Sequence, residues 1–163
     1  MNTQHELRAI LGECRTIAVV GLSPQWHRPS FFAAKYLDSH GYRIVPVNPG
    51  ASEILGQPCY PSVAAAAAAL AATGQRIDMV DCFRRSEDIG PLADEAIAVG
   101  ARCLWQQIGV VNEAAAARAR AAGLHSVMDR CVKIEHARLF GGLGWFGVNT
   151  GVISARRPRQ LPY

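Results

Sequence analysis

Apolar and polar positions follow two rhythms along this chain. Short, nearly unbroken apolar runs read as strands buried on both faces. Stretches with apolar residues three and four apart read as amphipathic helices. Asn2 to Glu13 is of the second kind, with Leu7, Ile10 and Leu11 on one face and Gly12 near its end. It is expected to cover an edge of the domain. Strands are expected at Thr16–Gly21, Arg43–Asn48, Ile77–Phe83, Arg102–Gln107 and His125–Met128. Pro46 removes a ladder donor from the second of these, so an irregularity is expected there.

Helices fill the intervals. Ser30 is placed as the N-cap of a helix through Phe31, Ala34, Lys35 and Leu37 that stops at Gly41. Leu55 to Pro61 reads as a loop with a tight turn. Ser62 caps an alanine-rich helix from Val63 to Ala72. Leu92, Ala93, Ala96, Ile97 and Val99 lie in the next helix, stopped by Gly100. Asn112 caps a second alanine-rich helix through Ala122, and a last helix runs roughly from Cys131 to Phe140.

Strand and helix repeated in this way, with short connections, demand right-handed crossovers. They predict an α/β, Rossmann-like domain over residues 1–140. Its doubly wound parallel sheet is expected to hold five strands in the order 3-2-1-4-5, with helices on both faces. The glycine- and aromatic-rich segment 141–163 departs from the rhythm. It is expected as an irregular arm packed on the body, with a second subunit, and so a homodimer, as the alternative.

Composition narrows the class. A chain of 163 residues, half of them hydrophobic, makes one domain with a sizeable core. The net charge of +4 is spread without a long Lys/Arg run. That favours a phosphorylated small ligand over a nucleic acid. Arg156, Arg157 and Arg159 read as a solvated tail. Cys14, Cys59, Cys82, Cys103 and Cys131 are odd in number and form no Cys-x-x-Cys pair, so neither a disulfide framework nor a zinc site is expected. With no signal peptide and no bilayer-length apolar run, the chain is expected in the cytoplasm with no membrane partner.

In such a sheet, ligands bind beyond the carboxyl ends of the strands where strand order reverses. The expected order puts that point between the first and fourth strands. It brings Gly21–Arg28, Val47–Gly50, Phe83–Ser86 and Gln106–Gly109 together. In the first loop Gly21 allows a tight turn, and Ser23 offers a hydroxyl and an amide. The helix opening at Ser30 attracts an anion, and Arg28 can fork onto a phosphate. The Gly-x-Gly-x-x-Gly fingerprint fails at Ser23 and Trp26, and the second strand ends in Asn48-Pro49 rather than an acid. This disfavours a nicotinamide dinucleotide. No Walker loop is present.

Six motifs in fixed order carry a resemblance. They are Ile17–Arg28 with Pro29-Ser30, Ile44–Pro49, Leu55-Gly56-Gln57, Val80–Arg84, Leu104–Gln107 with Gly109, and Val127–Cys131. Together they resemble the stand-alone bacterial CoA-binding domain family, itself similar to the CoA-binding domain of the succinyl-CoA synthetase alpha subunit. The resemblance implies coenzyme A or acyl-CoA as cofactor. Gly21, Leu22 and Ser23 would turn at the pyrophosphate and Arg28 would contact a phosphate. Val47, Asn48 and Pro49 would border the adenosine. Phe83 and Arg84 would line the cleft, with Gln107 in the less closely placed Trp105–Gly109 stretch. Related domains often carry lysine where this chain has Gly50, which shifts the 3′-phosphate contact to Arg28, Arg43 or Arg84.

The expected function is a non-catalytic CoA carrier, sensor or regulatory module. The alternatives are a CoA transferase or ligase component needing a partner chain, an NAD(P)-dependent oxidoreductase, and a purely structural interaction protein. His27 reads as a loop brace. Asp78 and Asp81 read as a structural pair with basic neighbours, Asp129-Arg130 as another, and Cys82 and Cys131 as packed thiols rather than partners of the CoA thiol.

Overall fold

The structure, a computed structural model, describes residues 1–141. The arm expected over 141–163 therefore lies, except for Gly141, outside the described residues.

Helix α1 (Gln4–Glu13) opens on a capping box. The Thr3 hydroxyl accepts the Glu6 N–H while the Glu6 carboxylate accepts that of Thr3. Strand β1 (Thr16–Val20) follows, then α2 (Pro29–Ser39) and β2 (Arg43–Val47). The loop expected at Leu55–Pro61 is part of a small antiparallel hairpin, β3 (Glu53–Ile54) and β4 (Gln57–Pro58). Leu55 and Gly56 turn between them with positive φ at both positions. Next come α3 (Val63–Ala71), β5 (Met79–Cys82), and a short 3₁₀ turn at Ser86–Asp88 leading into α4 (Ile89–Ala98). The chain continues through β6 (Cys103–Gln106), α5 (Glu113–Ala121), β7 (His125–Val127) and α6 (Val132–Phe140).

The main sheet is parallel, five-stranded and covered by helices on both faces, as expected of a Rossmann-like α/β domain. Its order corrects the expectation of 3-2-1-4-5. The order is β2-β1-β5-β6-β7, so the third long strand pairs with the first, Ile17 opposite Met79 and Val20 opposite Cys82. Pro46 supplies the reason. It lacks an N–H, and its carbonyl accepts from Tyr60 on the outer side of β2. A strand whose outer side lacks a donor suits an edge and not the interior place that 3-2-1-4-5 would give it. An isolated bridge, Val47 to Tyr60, lies on that edge.

Alternation along the strands divides the core in two. Ala18, Val45, Val80, Cys82 and Leu104 face α3, α4 and α5. Ile17, Val19, Ile44, Met79 and Trp105 face α1, α2 and α6. The alanine-rich helices lie in the first layer, where Ala66, Ala115 and Ala119 are fully buried and allow close packing on the sheet. Among the described residues, no helix is long and apolar enough to cross a membrane.

Candidate functional site

Strand order reverses beside β1, where the chain leaves to β2 on one side and to β5 on the other. The carboxyl ends of β1, β5 and β6 open into a cleft of about 1120 Å³. It thus lies between β1 and β5, not between the first and fourth strands as expected.

The floor begins at Gly21, whose φ of 83° lies in the left-handed region. Its N–H continues the ladder to the Val47 carbonyl. A side chain there would collide with the Phe83 carbonyl oxygen. The loop that follows braces itself. Ser23 N–H donates to the Ser30 hydroxyl (3.0 Å), Gln25 N–H to the Ser23 hydroxyl (3.1 Å), and Arg28 Nε to Gln25 Oε1 (3.2 Å). Ser30 is therefore not the N-cap that was expected. Arg28 occupies the cap position and Pro29 the first helical one, where its fixed φ and missing N–H cost nothing. The Ser23 amide is likewise committed to the loop rather than free for a ligand.

Arg28, Arg84, Arg85 and Lys133 line the cleft against one acid, Asp88. Arg84 and Arg85 both lie near Asp88, at 3.8 and 3.2 Å, and Arg85 also reaches Glu87. These pairs are largely exposed and so weakly held. Arg43, also expected as a phosphate contact, is at the wrong edge. It opens β2 at the amino end of the sheet and donates to Gln75. Phe32, Ile108 and Ile134 give the cleft an apolar wall, and Trp26 stands edge-on to Phe32 outside it.

Of the residues expected at the site, Gly21, Ser23, Arg28, Phe83, Arg84 and Gln107 line this cleft. Leu22 and Val47 are core side chains, buried in the two different layers. Asn48 holds the turn: its Nδ2 donates to the Leu22 carbonyl (2.9 Å) and its Oδ1 accepts the Gly50 N–H. Pro49 is exposed beyond it. His27 lines the cleft against the edge of Trp26. Lys133 was missed in the sequence. The signal was its place just inside the helix after the fifth strand, a position equivalent to the first loop on the far side of the cleft.

The two aspartates of the third strand are not a pair. Asp78, at the amino end, accepts the N–H groups of Arg15 and Thr16 and lies near Arg76 and Arg102. Asp81 is wholly buried, and among the described residues the one hydrogen-bond partner of its side chain is Gln107, whose Nε2 donates to Oδ1 at 2.6 Å. Burial pushes the Asp81 carboxyl up to about 7, the Gln107 bond opposing it. Asp129 and Arg130 do not pair with each other either. Asp129 accepts the Gly109 N–H, and Arg130 meets the buried Glu135 at 2.8 Å. Burial raises the thiols of Cys82 and Cys131 as well; Cys82 is in the core and Cys131 lines the cleft.

A doubly wound parallel α/β domain with a basic and apolar cleft at its switch point is of the Rossmann-like class. Comparison with known proteins gives the particular family: residues 15–137 match the CoA binding domain family, and the chain belongs to it. The chain is 38% identical over 132 residues to YneT of Bacillus subtilis (strain 168), spanning 81% of this chain and 93% of YneT. It is similar to the solved structure of a hypothetical protein from Pyrococcus horikoshii OT3, with TM-score 0.78 and 38% identity, covering 86% of this chain and 94% of that one. In fold alone it also resembles a dinucleotide-forming acetyl-coenzyme A synthetase of Ca. Korarchaeum cryptofilum. There the TM-score is 0.57 at 21% identity, covering 71% of this chain and 26% of the synthetase.

Proposed function

We propose that this protein binds coenzyme A or an acyl-CoA in the cleft between β1 and β5, as a non-catalytic carrier, sensor or regulatory module. The observation that carries this reading is the cleft's division of labour. Arg28, Arg84, Arg85 and Lys133 provide several cations around the first loop, while Phe32, Ile108 and Ile134 provide an apolar wall. Coenzyme A has the matching halves, three phosphate groups and a long uncharged arm. Membership of the CoA binding domain family supports the same ligand.

In this reading the turn at Gly21 and Ser23 brings backbone close to the pyrophosphate, and Arg28 and Arg84 fork onto phosphate oxygens. Phe83 and Gln107 border the arm. Leu22, Val47 and Asn48 set the shape of the first loop, and Pro49 borders the adenosine from the β2 side. Burial raises the Cys131 thiol, the opposite of the shift that activates a nucleophilic cysteine, which supports the non-catalytic reading.

Titration calorimetry with CoA, dephospho-CoA and NAD(P) tests the proposal. CoA is expected to bind, and more tightly than dephospho-CoA. NAD(P) binding without CoA binding overturns it. Native mass spectrometry of freshly purified protein reports bound ligand and subunit number together.

A further inference from the structure

The end of the main sheet opposite the cleft carries a charge pattern that the CoA reading does not use. A basic residue stands at the start of every strand of that sheet or within the three residues before it. Across the sheet from β2 to β7 these are Arg43, Arg15, Arg76, Arg102 and His125, all exposed. The ladder holds them side by side. Arg43 N–H donates to the Arg15 carbonyl (2.8 Å), Arg102 N–H to the Asp78 carbonyl (2.7 Å) and His125 N–H to the Arg102 carbonyl (2.8 Å). Strands about 4.8 Å apart make this a row about 19 Å long.

Folding does not account for the row. Like charges held at this spacing repel, and the acids beside them do not cancel them. Among the described residues Arg15 and Arg43 meet no carboxylate. Arg15 lies over the Tyr42 ring at 5.9 Å, and Arg43 donates to Gln75. Arg76 and Arg102 share Asp78 at 3.5 and 3.8 Å, and Arg102 also lies 3.9 Å from Glu13. Asp78 in turn accepts the backbone N–H groups of Arg15 and Thr16. Four arginines therefore stand against two acids. The Arg76 and Arg102 side chains are 61% and 44% exposed even while paired, so the excess charge is offered to solvent.

We propose that this row docks an acidic segment of a partner protein. Guanidinium groups fork onto carboxylates, and an extended segment of about six residues spans the row. The charges exclude other occupants. Residues 142–163 hold Arg156, Arg157 and Arg159 and no Asp or Glu, so the row repels them. A second copy set row against row meets the same repulsion. A nucleic acid brings phosphates against Glu13 and Asp78 within the row. Tyr42, beside Arg43, is 4% exposed and donates to the Leu11 carbonyl, so it offers bases no stacking platform. The row and the cleft lie at opposite ends of the strands, so partner and cleft ligand are held without competing. The ladder fixes the backbone of the row before any partner arrives.

Fluorescence anisotropy with labelled octaglutamate, octaglutamine and an oligothymidylate of equal charge, at low salt, tests the proposal. Octaglutamate is expected to bind the full chain and octaglutamine is not. Arg15→Gln with Arg43→Gln, the two that meet no carboxylate, should weaken octaglutamate about fivefold, and adding Arg76→Gln should take the loss past about tenfold. Arg28→Ala with Arg84→Ala removes the same charge from the cleft and should change octaglutamate affinity by less than about twofold. If the triple variant does not fold, the Arg15/Arg43 pair alone decides. No binding of octaglutamate overturns the proposal. So does a loss as large in the cleft pair as in the row pair, which would mean a diffuse field. Oligothymidylate binding more tightly than octaglutamate, and weakened by the row variants, would make the row a nucleic-acid surface and overturn the acidic partner. The CoA reading is untouched by any of these results, since none of them measures CoA.

Discussion

The α-carbon of Gly21 faces the carbonyl oxygen of Phe83 so closely that no side chain fits between them. The Arg84 side chain closes the same space, its Cδ 3.0 Å from where a Cβ would be. The ends of β1 and β5 thereby close the floor of the cleft, with φ of 83° at Gly21 adding a conformational demand. Gly21→Ala must move the Phe83 carbonyl and adopt a left-handed backbone. It is expected to destabilise the fold by about 1–3 kcal/mol and to abolish CoA binding. A thermal melt and calorimetry on the same sample check both, and unaltered affinity would count against the first loop as the binding element.

Arg28 and Arg43 separate the two edges of the sheet. Arg28 lines the cleft; Arg43 opens β2 at the opposite end and donates to Gln75. Arg28→Ala should weaken CoA binding about tenfold, the usual scale for a charge-assisted contact of about 1.5 kcal/mol, and should flatten its salt dependence. Arg43→Ala should leave affinity unchanged. Equal loss in both variants would point to a diffuse field rather than a phosphate contact.

The alternation of apolar runs and amphipathic stretches was enough to read every long strand and helix, because those patterns are local. The caps at Ser62 and Asn112 were legible for the same reason. Strand order was not, since it depends on which strands pair. Pro46 did hold the clue, a missing donor that belongs at an edge, but it was read as an irregularity within the strand. Of the residues that line the cleft, Gly21 and Arg28 were legible through loop chemistry, and Arg84 through the resemblance to the CoA-binding domain family. The Asp81–Gln107 bond and the Arg130–Glu135 pair join residues on different elements, and no spacing rule reveals such partners.

Glu135 shows what those hidden pairs do for stability. It is completely buried on α6, 2.8 Å from Arg130 and 2.5 Å from Arg138. Removing the carboxylate leaves two mostly buried guanidinium groups without it. Glu135→Leu is expected to lower stability by about 3–5 kcal/mol in urea unfolding. Glu135→Gln, which keeps the shape and the hydrogen-bond acceptor, should cost less. Equal losses would mean that packing, not charge, explains the residue.

Asp81 predicts a pH dependence with a definite sign. Burial raises its carboxyl from 3.8 to about 7 in the fold, so between those values the native chain holds a proton that the unfolded chain has released. Stability from this group is therefore present at the acid end of the window. It is lost as pH rises toward 7, then stays constant once both states are ionised. The thiols of Cys82, Cys103 and Cys131 near it are themselves pushed up by burial and stay neutral across this range. Asp81→Asn removes the titration. Its stability relative to wild type should rise from about pH 4 to pH 7, by at most ~4 kcal/mol, and then level off. Urea unfolding of both proteins at pH 4.5, 6 and 8 measures this difference directly. Because Glu6 titrates in both chains, its acid-side contribution cancels. A difference that does not change with pH would mean that Asp81 is ionised throughout, and that the cleft wall holds a permanent charge.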